Sequence, residues 1–299
     1  MLPYAVETTQ FSSHGDLCAA TLYLPAQPGP HAVVLMAHGF AGTQEARLPA
    51  YADRFCRAGM AVLIWDYRHF GKSGGQPRHL LDIERQLQDW QAAMAFARGQ
   101  PYLDASRLAL WGTSFSGGHV LQLAARTPDL KAVIAQVPFV DGLQQIGRPW
   151  QALRLGLAGA VDMAQALLGR APHRIKVVGR PGSLAALTSP DAEPGYQRLI
   201  AGCTWENEVA ARIVLQLPLY RPIRTVRQIQ APVLYTIATD DQVTPARPAR
   251  AAARKTPHAE VLELPGGHFD PYVPPLFETV VSAQTAFLKK HLCISSPEI

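Results

Sequence analysis

Apolar and polar positions alternate over Val6–Phe11 and again over Leu17–Leu24, on either side of Ser13-His14-Gly15-Asp16, which predicts an antiparallel hairpin. Beyond it the pattern changes. Ala32–Ala37 (AVVLMA) and Ala61–Trp65 (AVLIW) are unbroken apolar runs, as expected of strands buried on both faces, and Arg107–Trp111 and Ala132–Val137 read as two more. Between the runs lie stretches with helical spacing: Arg47–Ala58, stopped by Gly59, then Leu80–Ala97 and Phe115–Ala125. Strands separated by helix-length segments predict an α/β fold, a mostly parallel central sheet with right-handed crossovers and helices on both faces.

The rhythm breaks after Gly142. Residues 143–229 are richer in Arg, Pro and helix-like pattern, with no clear buried strand before Pro232. It then resumes with a strand over Val233–Ile237, a helix opened by Thr244 as cap and Pro245 at its first position, a strand over Val261–Leu264 and a closing helix over Pro275–Lys290. The expected division is a core of residues 1–142 and 230–299 with a helical lid inserted as 143–229. An insertion at that point covers the edge where open α/β sheets bind ligands. Its apolar stretches Leu153–Leu168 and Val209–Leu217 are expected to form helices that roof a hydrophobic pocket. An independent helical domain is the alternative.

Composition narrows the class. With 48% hydrophobic and 17% charged residues, the 299-residue chain is globular rather than disordered or collagen-like. The net charge of +5 comes from arginines scattered between Arg47 and Arg254, with no basic run to track phosphates, so nucleic-acid binding is not expected. Cys18, Cys56, Cys203 and Cys293 form no C-x-x-C pair and read as reduced thiols of a cytoplasmic protein. Residues 1–16 lack the basic start and apolar stretch of a signal peptide. Arg154 and Asp162 interrupt the apolar stretch from Leu153, so no membrane span is expected.

The chemistry concentrates at Gly112-Thr113-Ser114-Phe115-Ser116-Gly117-Gly118, where a buried strand turns straight into a helix. Small residues two before and two after Ser114 suit the strained turn of a nucleophile elbow, which exposes a serine Oγ at the sheet edge. The helix behind it offers backbone N–H groups to a developing oxyanion. With these residues in place the chain resembles the α/β-hydrolase superfamily over nearly its full length. It departs from the G-x-S-x-G pattern at Ser116, which replaces a glycine and raises a rival nucleophile.

The resemblance implies a triad in the order Ser114, acid, His268. The acid lies in Asp240-Asp241-Gln242-Val243-Thr244-Pro245, where the D-x-V-x-P pattern of similar enzymes matches Asp241 and leaves Asp240 as the alternative. The base stands in Gly266-Gly267-His268-Phe269-Asp270; His31, His69, His79, His119, His173, His258 and His291 read as surface or helix residues, and Asp270 is given no catalytic part. The backbone N–H groups of Phe40, in His38-Gly39-Phe40-Ala41-Gly42, and of Phe115 are the implied oxyanion hole. The loop Trp65–Gly75 is similar to a second fingerprint of these hydrolases and is expected to shape the turn beneath the site. Its Gly71-Lys72-Ser73 lacks the upstream glycine of a phosphate loop, no dinucleotide motif or metal-ligand spacing appears, and no cofactor is implied.

Parts of the insertion, residues 177–191 and 205–208, look like segments of bacterial α/β hydrolases and of fungal enzymes described as polyketide transferases. What the resemblance implies is a serine hydrolase acting on a small-molecule acyl ester or thioester through an acyl-enzyme. An acyltransferase with the same triad is the first rival; a peptidase or a non-catalytic binding protein on the same fold is less expected. A homodimer is compatible with the sequence.

Overall fold

A computed structural model describes residues 3–145 and 149–294. The ends of the expected core, residues 1–2 and 295–299, and residues 146–148 of the expected insertion lie outside the described residues.

The first half runs β1 (Tyr4–Ser13), β2 (Asp16–Pro25), β3 (His31–Ala37), α1 (Leu48–Arg57), β4 (Ala61–Trp65), α2 (Ile83–Arg98), β5 (Leu103–Thr113), α3 (Phe115–Ala124) and β6 (Ala132–Gln136). After the insertion come its closing elements. In the insertion lie α4 (Pro149–Leu167), β7 (Arg174–Val178), β8 (Ala185–Leu187), α5 (Ala192–Leu199), β9 (Val209–Ala210) and α6 (Ile213–Gln216). β10 (Val233–Ala238), α7 (Ala246–Lys255), β11 (Ala259–Leu264) and α8 (Leu276–His291) complete the chain. The eight-stranded sheet has the order β1-β2-β4-β3-β5-β6-β10-β11. β2 is antiparallel to both neighbours, and every pair from β4 to β11 is parallel.

Adjacent side chains of β5 show how the sheet is covered on both faces. Trp111 packs on Tyr51 of α1, with ring centroids 5.0 Å apart, and its Nε1–H donates to Gln284 of α8 at 2.8 Å. Gly112 faces the opposite helix: a Cβ there would stand 2.3 Å from the Ser116 carbonyl oxygen of α3. β3, β4 and β6 are buried almost throughout, which is why the sequence shows them as unbroken apolar runs.

The insertion differs from the expected all-helical lid. It carries a three-stranded sheet, with β7 parallel to β8 and antiparallel to β9. β7 escaped the apolar pattern because Arg174 and Lys176 alternate with buried Ile175 and Val177 over only five residues. Val209 and Ala210 pair with this strand, so the expected helix over Val209–Leu217 shrinks to the single turn of α6. α4 forms as expected but does not roof a pocket: it turns Ala158, Gly159 and Asp162 inward and leaves Leu153, Leu157 and Val161 exposed. Asp162 takes hydrogen bonds from the Arg212 guanidinium and from the His173 and Arg212 N–H groups. Burial opposes its charge, but these donors hold its pKa below the usual carboxylate range.

Candidate active site

Ser114 sits between β5 and α3 at φ 55°, ψ −119°, a backbone that L-residues rarely adopt. Its N–H donates to the Gln136 carbonyl and its own carbonyl accepts from Phe139 N–H, both at 2.8 Å, so the turn is tied to the end of β6 and to the loop after it. Ser116, fully buried, lies with its Oγ 2.9 Å from Tyr67 OH, which also accepts from Trp90 Nε1 at 2.7 Å. The hydroxyl that departs from the family pattern therefore links the elbow to the Trp65–Gly75 loop. That loop is itself closed by Asp66, which accepts from Gln44 N–H at 2.7 Å and Lys72 N–H at 2.9 Å.

His268 stands on the loop after β11 with Nε2 3.0 Å from Ser114 Oγ and Nδ1 2.7 Å from Asp241 Oδ2. Asp241 is buried; its Oδ1 accepts the Val243 and Thr244 N–H groups at 2.8 and 2.7 Å. Thr244 does not cap α7, the helix beginning instead at Ala246 with no side-chain cap. Its Oγ1 lies 2.9 Å from both Asp241 Oδ2 and the Val137 carbonyl. Asp240 is exposed and accepts from Gly266 N–H at 3.1 Å, away from His268. His119 lies in α3, as expected of a helix residue, and is buried there; His69, expected on the surface or in a helix, is buried in a turn.

The His38–Gly42 loop lies against Ser114: a Cβ on Gly39 would come within 2.7 Å of Ser114 Cβ. Gly39 N–H donates to His38 Nδ1 at 2.8 Å, and Gly42 N–H to the Gly39 carbonyl at 3.2 Å. Burial pulls the His38 pKa down to about 4, which keeps the imidazole a neutral acceptor. Two further anchors come from the insertion. Tyr196 OH donates to the Phe40 carbonyl and Trp205 Nε1–H to the Ala41 carbonyl, both at 2.8 Å, with the two rings 4.7 Å apart. These bonds leave the Phe40 N–H uncommitted, and Phe115, as first residue of α3, has no acceptor for its N–H inside the helix.

The cavity over Ser114 is about 10 Å³, space for one water molecule. Its walls are His38, Phe40, His268, Phe269 and Tyr272 from the core, and Leu187, Tyr196 and Leu199 from β8 and α5. The sequence picked out neither Leu187 nor Leu199; in an Arg- and Pro-rich stretch no period marks which apolar residues face inward. Among the described residues no group of three or more His, Cys, Asp or Glu side chains could hold a metal ion.

The family described as serine aminopeptidase, S33, matches residues 28–267. The chain is 42% identical over 292 residues to the quorum-quenching protein AidA of Acinetobacter baumannii (strain MDR-ZJ06), covering 97% of this chain and 96% of that one. It is 28% identical over 276 residues to polyketide transferase grgF of a Penicillium species, with 91% of each chain covered. The crystal structure of the α/β hydrolase GrgF from Penicillium sp. sh18 superposes with a TM-score of 0.84 at 25% identity, covering 97% of this chain and 99% of that one.

Proposed function

The chain belongs to the serine aminopeptidase S33 family of α/β hydrolases, and from that premise we propose that it cleaves carboxylic esters or thioesters through an acyl-enzyme. The observation that carries this reading is the run of hydrogen bonds from Ser114 Oγ through His268 to Asp241, at 3.0 and 2.7 Å, on a strained elbow. Ser114 Oγ attacks the acyl carbon while His268 Nε2 takes its proton; Asp241 holds the ring and stabilises the imidazolium. The Phe40 and Phe115 N–H groups receive the oxyanion. His268 then protonates the departing alkoxide or thiolate. Water, deprotonated by the same nitrogen, cleaves the acyl-enzyme and releases the acid. The apolar walls Leu187, Leu199 and Phe269 suit the acyl group, and a cavity this small admits it only when the α5 side of the insertion yields. That movement is what makes residues 143–229 a lid.

The likeness to a polyketide transferase favours one second reading, acyl transfer, in which an alcohol or amine replaces water in the last step. The likeness to a quorum-quenching protein adds quorum-sensing signal molecules to the substrates worth testing. Four free cysteines, two of them buried, fit a reducing, cytoplasmic setting. The test is a product-resolved screen of acyl esters, thioesters and aminoacyl anilides, with and without alcohol and amine acceptors. Free acid as the product regardless of acceptor supports hydrolysis; acylated acceptor as the main product supports transfer. Turnover of the anilides alone would overturn both.

A further inference from the structure

The apolar face of α4 is left over once the site is accounted for. Trp150, Leu153, Leu157, Val161, Leu167 and Leu168 are 69, 51, 59, 47, 83 and 66% exposed. α6 packs on the inner side of the helix, where a Cβ on Gly159 would stand 2.9 Å from Leu215 Cγ, and leaves this outer face uncovered. Exposures of this size on large side chains leave on the order of 1,000 Å² of apolar surface uncovered, more than the few hundred Å² of a monomer's largest patch. It also matches the ~800 Å² that each partner contributes to a standard stable interface.

We propose that this face is the seat of a homodimer, in which α4 packs against α4 of a second copy across a two-fold axis. The charge pattern selects that occupant. In a two-fold interface, residues at the axis meet their own equivalents, so a charge there would face a like charge. α4 has only two charged residues: Asp162, on its inner side, is paired with Arg212, and Arg154, at the margin of the apolar face, donates to the Gly182 carbonyl at 3.1 Å. Every exposed position from Trp150 to Leu168 is uncharged. Gly156, Ala160 and Ala164 recur every four residues along the helix and let two backbones approach closely. A helix that lies on a lipid surface carries Lys and Arg along its polar margin; α4 has no Lys and one Arg, already committed.

Light scattering on the full chain eluting from a sizing column tests this. The wild type is expected at about 65 kDa, twice the 32.5 kDa chain, at micromolar concentration. Leu157→Arg and Leu153→Gln are each expected to run as monomers, with thermal unfolding showing that they remain folded. Amide exchange on the wild type needs no substitution: protection over residues 153–164 should fall on dilution as the dimer dissociates. A monomeric wild type, or a dimer that both variants and dilution leave intact, overturns the proposal. So does a monomeric wild type that sediments with phosphatidylserine vesicles while Leu157→Arg does not, which would make the face a lipid-binding one.

Discussion

At the scale of single residues, the division of labour between two adjacent aspartates is the sharpest consequence of the geometry. Asp241 is buried, 2.7 Å from His268 Nδ1, and its other oxygen is saturated by two backbone donors; Asp240 points to solvent. Asp241→Asn is expected to lower kcat by roughly 10³–10⁴, as substitutions that force the wrong imidazole tautomer do, with Asp240→Asn staying within about tenfold. Steady-state kinetics on one ester decides it, and the reverse ranking would contradict the assignment. Tyr196 and Trp205 act one step away, through the carbonyls of Phe40 and Ala41. Tyr196→Phe and Trp205→Phe should each lower kcat about tenfold with KM little changed, because the donors they aim matter most at the transition state; an unchanged kcat would reduce both to packing. Ser114 and Asp241 could be picked out as candidates from the sequence because each follows a run of buried apolar residues in a short loop, and His268 because Gly266-Gly267 mark the loop after β11. Tyr196 and Trp205 could not, since their partners lie about 160 residues upstream and main-chain carbonyls leave no mark in sequence.

At the scale of elements, the alternation of buried strands and amphipathic helices was legible because burial on both faces forces apolar runs that few other structures need. The insertion was not, for the opposite reason. β7, β8 and β9 are five, three and two residues long, too short for a period to show, and β7 is covered on one side only. The consequence for specificity is a change of address. Leu157 and Leu215 face outward, whereas Leu187 and Leu199 line the cavity above Ser114. Each methylene buried in the acyl site is worth about 0.8 kcal/mol, near fourfold in kcat/KM. In a series of p-nitrophenyl esters, Leu199→Ala should therefore move the chain length at which kcat/KM stops rising outward by about one or two carbons. Leu157→Gln should leave it in place, and a shift in Leu157→Gln alone would restore α4 to the roof.

At the scale of the whole molecule, stability depends on imidazoles kept neutral by burial. Burial lowers the pKa of His38 to about 4 and that of His119 to about 3. His119 is further locked by Tyr220 OH at Nδ1 and Gln86 Oε1 at Nε2, 2.7 and 2.9 Å away, which ties α3 to α2 and to the segment returning from the insertion. From pH 6.5 down to those values the unfolded chain takes up protons that the folded chain refuses. Stability is thus full above pH 6.5 and falls below it, by up to about 1.4 kcal/mol per pH unit for each histidine. Urea unfolding should show that decline, and His119→Gln should make it shallower; an identical slope would mean His119 titrates freely in the fold. The central claim, that the Ser114 hydroxyl is the nucleophile that takes the acyl group, is tested most directly by a fluorophosphonate probe read by peptide mass spectrometry. The wild type and Ser116→Ala should carry the adduct on Ser114, and Ser114→Ala should carry none. An adduct that persists in Ser114→Ala and disappears in Ser116→Ala would contradict the account.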